Sequence, residues 1–169
     1  MRHPLFVLLS LPLPLMADAP AAESAWRQVM ADDDSGYGEV AVLYQDAGST
    51  IKDEYASKDV TPRLELHCSP GDPSITARID WRRFISSFGT EVGFKVDAGR
   101  FTWHKWKTDS SEKITLSPST DDTTKLIGLM GTGSRLTVEI TPYSEGPVEV
   151  SFDLAGFDEA LLALQDACR

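Results

Sequence analysis

Residues 135–154, RLTVEITPYSEGPVEVSFDL, decide the fold class of this chain. In the first seven residues, apolar side chains at positions 136, 138 and 140 alternate with polar ones, and VEVSFDL repeats the alternation. A period of two is typical of half-buried strands, so two strands are predicted. The connection PYSEGP is too short for a crossover between parallel strands, and the pair is therefore predicted to be antiparallel.

The same alternation recurs upstream in five segments: EVAVLYQ (39–45), RLELHC (63–68), SITARIDW (74–81), EVGFKV (91–96) and KITLS (113–117). In RLELHC, for example, Leu64, Leu66 and Cys68 share one face, whereas Glu65 and His67 share the other. The short connections again favour antiparallel pairing.

Two helices are predicted beside these strands. Residues 117–133, SPSTDDTTKLIGLMGTG, begin with cap-forming hydroxyls and carboxylates and end in glycines. At the C-terminus, apolar residues recur at helical spacing: Phe157, Ala160, Leu161, Leu164 and Cys168. The expected fold is mainly β, an antiparallel sandwich or curled sheet with a short internal helix and a C-terminal helix.

Cys68 and Cys168 are the two cysteines of the chain. Each lies on the apolar face of its predicted element, so both thiols are expected to point into the core. A structural disulfide that joins the last helix to the sheet is predicted, and a loop of this length implies about 4.7 kcal/mol of stabilisation in the chain-entropy model. The alternatives are two separate buried thiols or a reactive pair.

The N-terminus has the pattern of a secretory signal peptide. Arg2 and His3 precede an apolar run over 5–16, which Pro12 and Pro14 interrupt and which is too short to span a membrane. Small residues follow, and cleavage after Ala21 fits the usual pattern. We expect a signal peptide over 1–21, a single exported β-rich domain over 22–169 without a transmembrane segment, and a periplasmic or secreted location.

The charge of the chain limits its partners. The 169 residues carry a formal net charge of -10, and no long run of lysine or arginine is present. Such a surface repels phosphate backbones, so nucleic acid is not expected as a partner. A protein partner in the cell envelope is expected instead.

Familiar catalytic motifs are missing from the sequence: it contains no G-x-S-x-G, H-E-x-x-H or P-loop. His67 and Cys68 are adjacent on a strand and point to opposite faces, so they cannot bind one metal ion together, and His67 is expected to be exposed. Asp32, Asp34 and Gly36 resemble part of a calcium loop but lack its later ligands. No enzymatic activity, cofactor or metal is expected.

The unusual surface candidate is GRFTWHKWKTD, residues 99–109, which is locally basic in an acidic protein. Trp103 and Trp106 fall on opposite faces of a regular strand, so one of them is expected to join the core and the other to face solvent. Exposed tryptophan beside cations is typical of a binding surface; the alternative is that the ring covers the sheet edge. The candidate partner-binding residues are Arg100, Trp103, Lys105, Trp106 and Lys107.

Residues 64–168 resemble the TagO/VasI-like proteins associated with bacterial type VI secretion. LELHC matches the cysteine strand of that family, and Arg78 and Asp80 match its R-x-D element. The closing signature is matched by Phe152, Leu154, Gly156, Phe157, Ala160, Leu161, Leu164 and Cys168. Unlike many of these proteins, this chain has no further cysteine near its predicted mature N-terminus. The resemblance implies a β-rich exported accessory protein without catalytic residues.

The expected function is therefore that of a non-catalytic envelope accessory or binding protein, associated with type VI secretion. Two alternatives stay open. One is a periplasmic inhibitor of a basic enzyme such as lysozyme, which suits a small acidic β domain with a disulfide. The other is a hydrolase whose carboxylate site carries no recognisable motif.

Overall fold

The structure is a computed structural model that describes residues 24–33, 36 and 38–169. The predicted signal peptide over 1–21 and Asp34 lie outside the described residues. Within them, eleven strands and two helices form in this order: β1 (Arg27–Asp32), β2 (Glu39–Asp46), β3 (Ile51–Lys52), β4 (Asp59–Val60), β5 (Arg63–Cys68), β6 (Thr76–Asp80), β7 (Thr90–Val96), β8 (Thr102–Thr108), β9 (Ile114–Leu116), α1 (Thr120–Met130), β10 (Arg135–Ile140), β11 (Val148–Asp153) and α2 (Phe157–Ala167).

Nine of these strands form one sheet in the order β1-β2-β5-β6-β9-β8-β7-β10-β11, and β3 and β4 form a separate hairpin. Every neighbouring pair is antiparallel. The two halves of the large sheet join where β8 meets β9, through the pairs Lys107–Leu116 and Thr108–Thr115. The expectation of a mainly β, antiparallel fold is confirmed, and the sheet does not close into a barrel.

Both halves of the sheet contribute to one core. Leu43 and Leu66 from the first half and Val138 and Phe152 from the second belong to a single buried cluster. These are the apolar positions of the alternating segments, and burial of each such side chain stabilises the fold by about 1.5–3 kcal/mol. The alternation in the sequence therefore identified the core-facing side of these strands.

The curled sheet brings the end of β2 next to β11. Gln45 is almost fully buried; its side-chain Nε2 donates to the Asp153 carbonyl at 2.8 Å, and its Oε1 accepts from the Asp153 amide at 2.7 Å. The Gly48 amide donates to the Ser151 carbonyl at 2.8 Å. A side-chain amide thus takes the place of a backbone pairing at this corner.

Both predicted helices are present. In α1, the Ser119 hydroxyl caps the first turn by accepting from the Asp122 amide at 3.1 Å, and Leu126 and Met130 are buried. In α2, Phe157 and Leu164 are buried against the sheet. The helical spacing read from the sequence therefore matches the buried face of each helix.

A disulfide joins Cys68 on β5 to Cys168 at the end of α2, with 5.8 Å between the Cα atoms. This separation lies in the ordinary range for disulfides. The Cys168 carbonyl also accepts a hydrogen bond from the Gly71 amide at 2.9 Å. The last helical turn is therefore held to the sheet by one covalent and one polar contact.

Strand β1 was not expected, because its residues are polar or exposed on both faces. It is the edge strand beside β2. The preceding Trp26 anchors it: the indole Nε1 donates to the Asp153 carbonyl at 3.1 Å, and the ring packs 5.0 Å from Phe157. The position of β1 is therefore set by the tertiary contacts of Trp26, and not by an alternation of apolar and polar residues in the strand.

Candidate functional site

Strand β8 separates the two tryptophans of the candidate surface. Trp106 is 2% exposed and packs in the core with its ring 5.2 Å from that of Phe94, whereas Trp103 is 47% exposed on the outer face. Trp106 is thus not available to a partner, because the inner face of β8 points into the core. The aromatic residue of the candidate surface is Trp103.

The indole of Trp103 lies against the backbone of β7. Its partner in register is Gly93, and a Cβ atom at Gly93 would come within 2.9 Å of the indole atoms Cη2 and Cζ3. The missing side chain therefore creates the space that the ring occupies. Phe101 flanks the indole at 5.6 Å between ring centroids. The indole therefore lies on the β7 backbone at Gly93 and beside the Phe101 ring, and the remaining surface of the indole faces solvent.

Cations surround this aromatic pair. Lys95 Nζ lies 4.3 Å from the centre of the Phe101 ring and 3.5 Å from a Glu149 carboxylate oxygen. Arg100, Lys105 and Lys107 are exposed. We call these six residues the Trp103 surface: Lys95, Arg100, Phe101, Trp103, Lys105 and Lys107.

Three cations of the Trp103 surface have no acidic partner within ion-pair distance among the described residues. Within the part of the chain that the structure describes, no ion pair holds Arg100, Lys105 or Lys107. Carboxylates lie on the same face: Glu91 is opposite Lys105 in register and Glu139 is opposite Gly93, so the cations around the exposed indole alternate with acidic groups.

A second polar site, which the sequence did not reveal, lies on the outer face of the first half of the sheet. Glu65 Oε2 is 2.8 Å from His67 Nε2 and 2.7 Å from Arg78 Nε. Burial raises the pKa of Glu65, but the hydrogen bond from His67 and the charge of Arg78 outweigh burial and hold the pKa below its ordinary value. Glu65 is thus a paired carboxylate rather than a proton donor.

This outer face, together with residues from neighbouring loops such as Ser69, Asp72 and Ser117, lines a depression of about 750 Å³. Val42, on the same face, is 5% exposed and Glu65 is 9% exposed. His67 is half-buried, so the expectation of an exposed histidine was wrong, because its imidazole pairs with Glu65 inside this depression. A run of alternating residues does not reveal such a depression, and the available signal was a Glu and an Arg on neighbouring predicted strands.

Neither polar site has the parts of a metal centre. Among the described residues, no group of three or more His, Cys, Asp and Glu side chains is placed to hold a metal ion. No helix in residues 24–33, 36 and 38–169 has the length and apolar character needed to cross a membrane. The described geometry offers surfaces for recognition: an aromatic and cationic one, and a concave polar one.

Comparison with known proteins adds information on the fold. No family model and no curated protein matches the chain. Among solved structures, the chain is similar to the crystal structure of invasion associated protein B from Bartonella henselae, with a TM-score of 0.52 and 12% identity over 83% of this chain and 91% of that one. At this identity the likeness shows a shared fold, so the function has to be argued from the surfaces of this chain.

Proposed function

We propose that the protein is a non-catalytic, exported binding protein whose partner docks on the Trp103 surface. The observation that carries this proposal is the indole of Trp103, 47% exposed and seated on the bare backbone of Gly93. A ring supported in this way is already in place before a partner arrives. Docking then costs little side-chain entropy, which is the usual advantage of a preorganised aromatic anchor.

The charges around the ring define the partner's chemistry. Arg100, Lys105 and Lys107 favour acidic groups on the partner around the ring, since opposite charges fix orientation. Glu91 and Glu139 on the same face limit the net charge of this surface. The remainder of the acidic chain repels such a partner, so it is steered toward this face. The proposed partner is therefore an envelope protein with an acidic rim around an apolar pocket.

The cellular context is a finer part of the proposal. The disulfide between Cys68 and Cys168 supports an oxidising compartment outside the cytoplasm. Sequencing of the N-terminus of the protein from an envelope fraction checks this part. A mature chain beginning near Ala22 is expected, and an intact Met1 in a cytoplasmic fraction contradicts it.

The link to type VI secretion rests on the TagO/VasI-like residues. Several of them have clear structural roles here: Arg78 pairs with Glu65, and Phe152, Phe157 and Cys168 are buried. Signature residues with structural roles are expected in proteins that share the fold, whatever their function. The role in secretion therefore needs separate support. The gene neighbourhood provides it: a type VI secretion cluster supports the role, and a locus without secretion genes counts against it.

The partner surface is tested by substituting Trp103. A photo-crosslinking residue at position 105 identifies the partner, which is then purified and titrated against the wild type and Trp103→Ala. We expect weaker binding by about 2 kcal/mol, roughly thirtyfold in Kd. Leu162→Ala is the matched control, because Leu162 is a 60% exposed apolar side chain on α2. Equal loss of affinity in both variants, or no loss in Trp103→Ala, contradicts the proposal.

A second candidate function is inhibition of a basic enzyme. Asp32, Asp33 and Asp72 line the depression around Glu65 together with Arg63 and Arg78. Four carboxylates therefore face two guanidiniums, and the net negative charge suits a cationic partner. Mixing the protein with lysozyme tests the best-known basic lytic enzyme. Unchanged lysis at equimolar protein removes this candidate for lysozyme, whereas loss of lysis that Asp72→Asn relieves supports it.

A further inference from the structure

The large sheet ends in two edge strands, β1 and β11, and the chain itself closes one of them. On β11, the amide and carbonyl of Asp153 bind the side chain of Gln45, and the Ser151 carbonyl accepts from the Gly48 amide. On β1, by contrast, β2 is the only strand partner in the described part of the chain. The second edge of β1 therefore offers its backbone groups to a further strand.

The side chains of β1 combine an apolar centre with charged ends of opposite sign. Val29 and Met30, at the centre, are 43% and 49% exposed. Arg27 lies at one end of the strand, and Asp32 and Asp33 lie at the other. Among the ion pairs of residues 24–33, 36 and 38–169, none holds Arg27. The pattern of charges along the strand indicates what the edge can pair with.

This pattern is complementary to itself in one antiparallel register. Opposing residues of an antiparallel ladder share a face, so two copies of β1 related by a twofold axis pair with one residue facing its own counterpart. When that residue is Met30, the facing pairs are Met30–Met30, Val29–Ala31, Gln28–Asp32 and Arg27–Asp33. Apolar side chains then meet apolar ones, and each carboxylate meets a donor. A ladder centred on Val29 or on Ala31 leaves Arg27 without an opposing carboxylate.

The same register keeps like charges apart. Each edge carries the carboxylates of Asp32 and Asp33 against one guanidinium; one strand inward, Glu39 lies opposite Asp32, and Asp46 is bound to Arg63. In the antiparallel ladder the two copies of Asp32 are four residues apart, about 13 Å, which exceeds the Debye length of about 10 Å at 0.1 M salt. Parallel pairing brings the acidic ends together instead. The charges therefore select an antiparallel second copy of the chain.

We infer that β1 pairs with β1 of a second copy and joins the two sheets edge to edge in a twofold-symmetric dimer. A ladder over residues 27–33 is a small interface, so a Kd of roughly 10–100 µM is expected. Val29, Ala31 and Asp33 also line the depression around Glu65. Arg27 of the second copy therefore comes to lie at the rim of this depression, and the two depressions open on the same side of the joined sheet.

Sedimentation velocity of the purified protein between about 1 and 500 µM measures the dimer. A shift from monomer to dimer across this range is expected. Met30→Lys places two ammonium groups opposite each other at the axis and should abolish the shift. Phe88→Lys, the same kind of change at a 95% exposed side chain away from β1, is the matched control and should leave it unchanged. A monomer at every concentration overturns the inference, and so does a dimer that Met30→Lys leaves intact.

A cysteine at the axis tests the register. Facing Cα atoms in an antiparallel ladder are about 4.5–5.5 Å apart, within the range of about 4.4–6.8 Å for disulfides. Met30→Cys should therefore give a covalent dimer on mild oxidation, read on a non-reducing gel. Gln28→Cys is the matched control, because Gln28 is exposed on the same face but about 13 Å from its counterpart along the ladder. Equal crosslinking of both variants, or none of Met30→Cys, contradicts the register.

Charge reversal tests the pair between Arg27 and Asp33. Arg27→Glu alone places two carboxylates opposite each other, and Asp33→Lys alone places two cations opposite each other, so each variant should dimerise about tenfold more weakly or less. In a mixture of the two variants both facing pairs are again of opposite sign, and a heterodimer of nearly wild-type affinity is expected. Local damage to the fold cannot produce this rescue. Two variants that stay monomeric when mixed, with unchanged circular dichroism, overturn the pairing.

Discussion

The buried guanidinium of Arg83 pairs with the partly exposed carboxylate of Glu145 and joins the loop after β6 to the loop between β10 and β11. Arg83 is 1% exposed, and its Nη1 also donates to the Lys52 carbonyl at 2.7 Å. One guanidinium therefore holds three separate segments of the chain together.

Arg83→Ala is expected to lower the free energy of unfolding by about 1–3 kcal/mol, chiefly because it leaves the Lys52 carbonyl without its donor, while the partly exposed Glu145 carboxylate can be solvated. Glu145→Gln keeps a hydrogen-bond acceptor for Arg83 at a partly exposed position. The free energy of unfolding is therefore expected to fall by about 1 kcal/mol. Urea denaturation of both variants measures the difference. If the glutamine variant is the less stable of the two, the central role given to the guanidinium is wrong.

Gly93→Ala is expected to displace the Trp103 indole, because the added Cβ lies 2.9 Å from two ring atoms. Acrylamide quenching follows Trp103 selectively, since Trp26, Trp81 and Trp106 are each at most 6% exposed. Stronger quenching in the alanine variant is expected, with a stability loss of about 1–3 kcal/mol.

The control for Gly93→Ala is the same substitution at Gly128, inside α1, where an added Cβ meets nothing within 4 Å. There alanine is expected to stabilise the protein by about 0.5–1 kcal/mol through its higher helix propensity. If both substitutions leave quenching unchanged, Trp103 does not depend on Gly93 for its position.

Removal of the disulfide is expected to destabilise the fold without affecting binding. Cys68→Ser with Cys168→Ser should lower the free energy of unfolding by about 2–5 kcal/mol, the usual range for a native bond that closes a long loop. Thiol labelling of the unfolded wild type without reductant should detect no free cysteine. Two labelled thiols in protein from its native compartment contradict the bond.

Stability is expected to fall at acidic pH in part through Glu65. Its pKa lies below the ordinary value of 4.5 in the folded protein, so its contribution is complete above that value and is lost as the pH falls toward the folded pKa. Glu65→Gln removes this contribution. The difference in unfolding free energy between wild type and variant should therefore be largest near neutral pH and shrink below about pH 4.5. A difference that stays constant from pH 7 to pH 3 contradicts the linkage.

The parts of the fold that follow a strict alternation could be predicted from the sequence. Leu136, Val138 and Ile140 were expected to face the core, and all three are buried. Trp103 and Trp106 were assigned to opposite faces, although the alternation alone could not tell which face was the inner one. That choice depends on how β8 pairs with β7, which is a property of the whole sheet.

Other features depend on neighbouring loops and on contacts between residues far apart in the sequence. Glu65 and Val42 lie on the outer face, where alternation indicates exposure, and yet both are nearly buried because they lie in a depression that residues of neighbouring loops also line. Strand β1 depends on Trp26 and its contacts with residues more than 100 positions away. Neither effect has a local pattern, so neither could be read from the sequence.

The disulfide between Cys68 and Cys168 also sets the point during synthesis at which the native structure can be completed. Cys68 precedes its partner by 100 residues, so its thiol waits while β6 to β11 are made. The early hairpins can pair in that interval, but α2 is still missing from their apolar side. A disulfide oxidant that meets Cys68 in this interval forms a mixed disulfide as its own S–S bond breaks, and the native bond closes only when the Cys168 thiolate displaces the oxidant. The native disulfide can therefore form only after the whole chain up to Cys168 has been made.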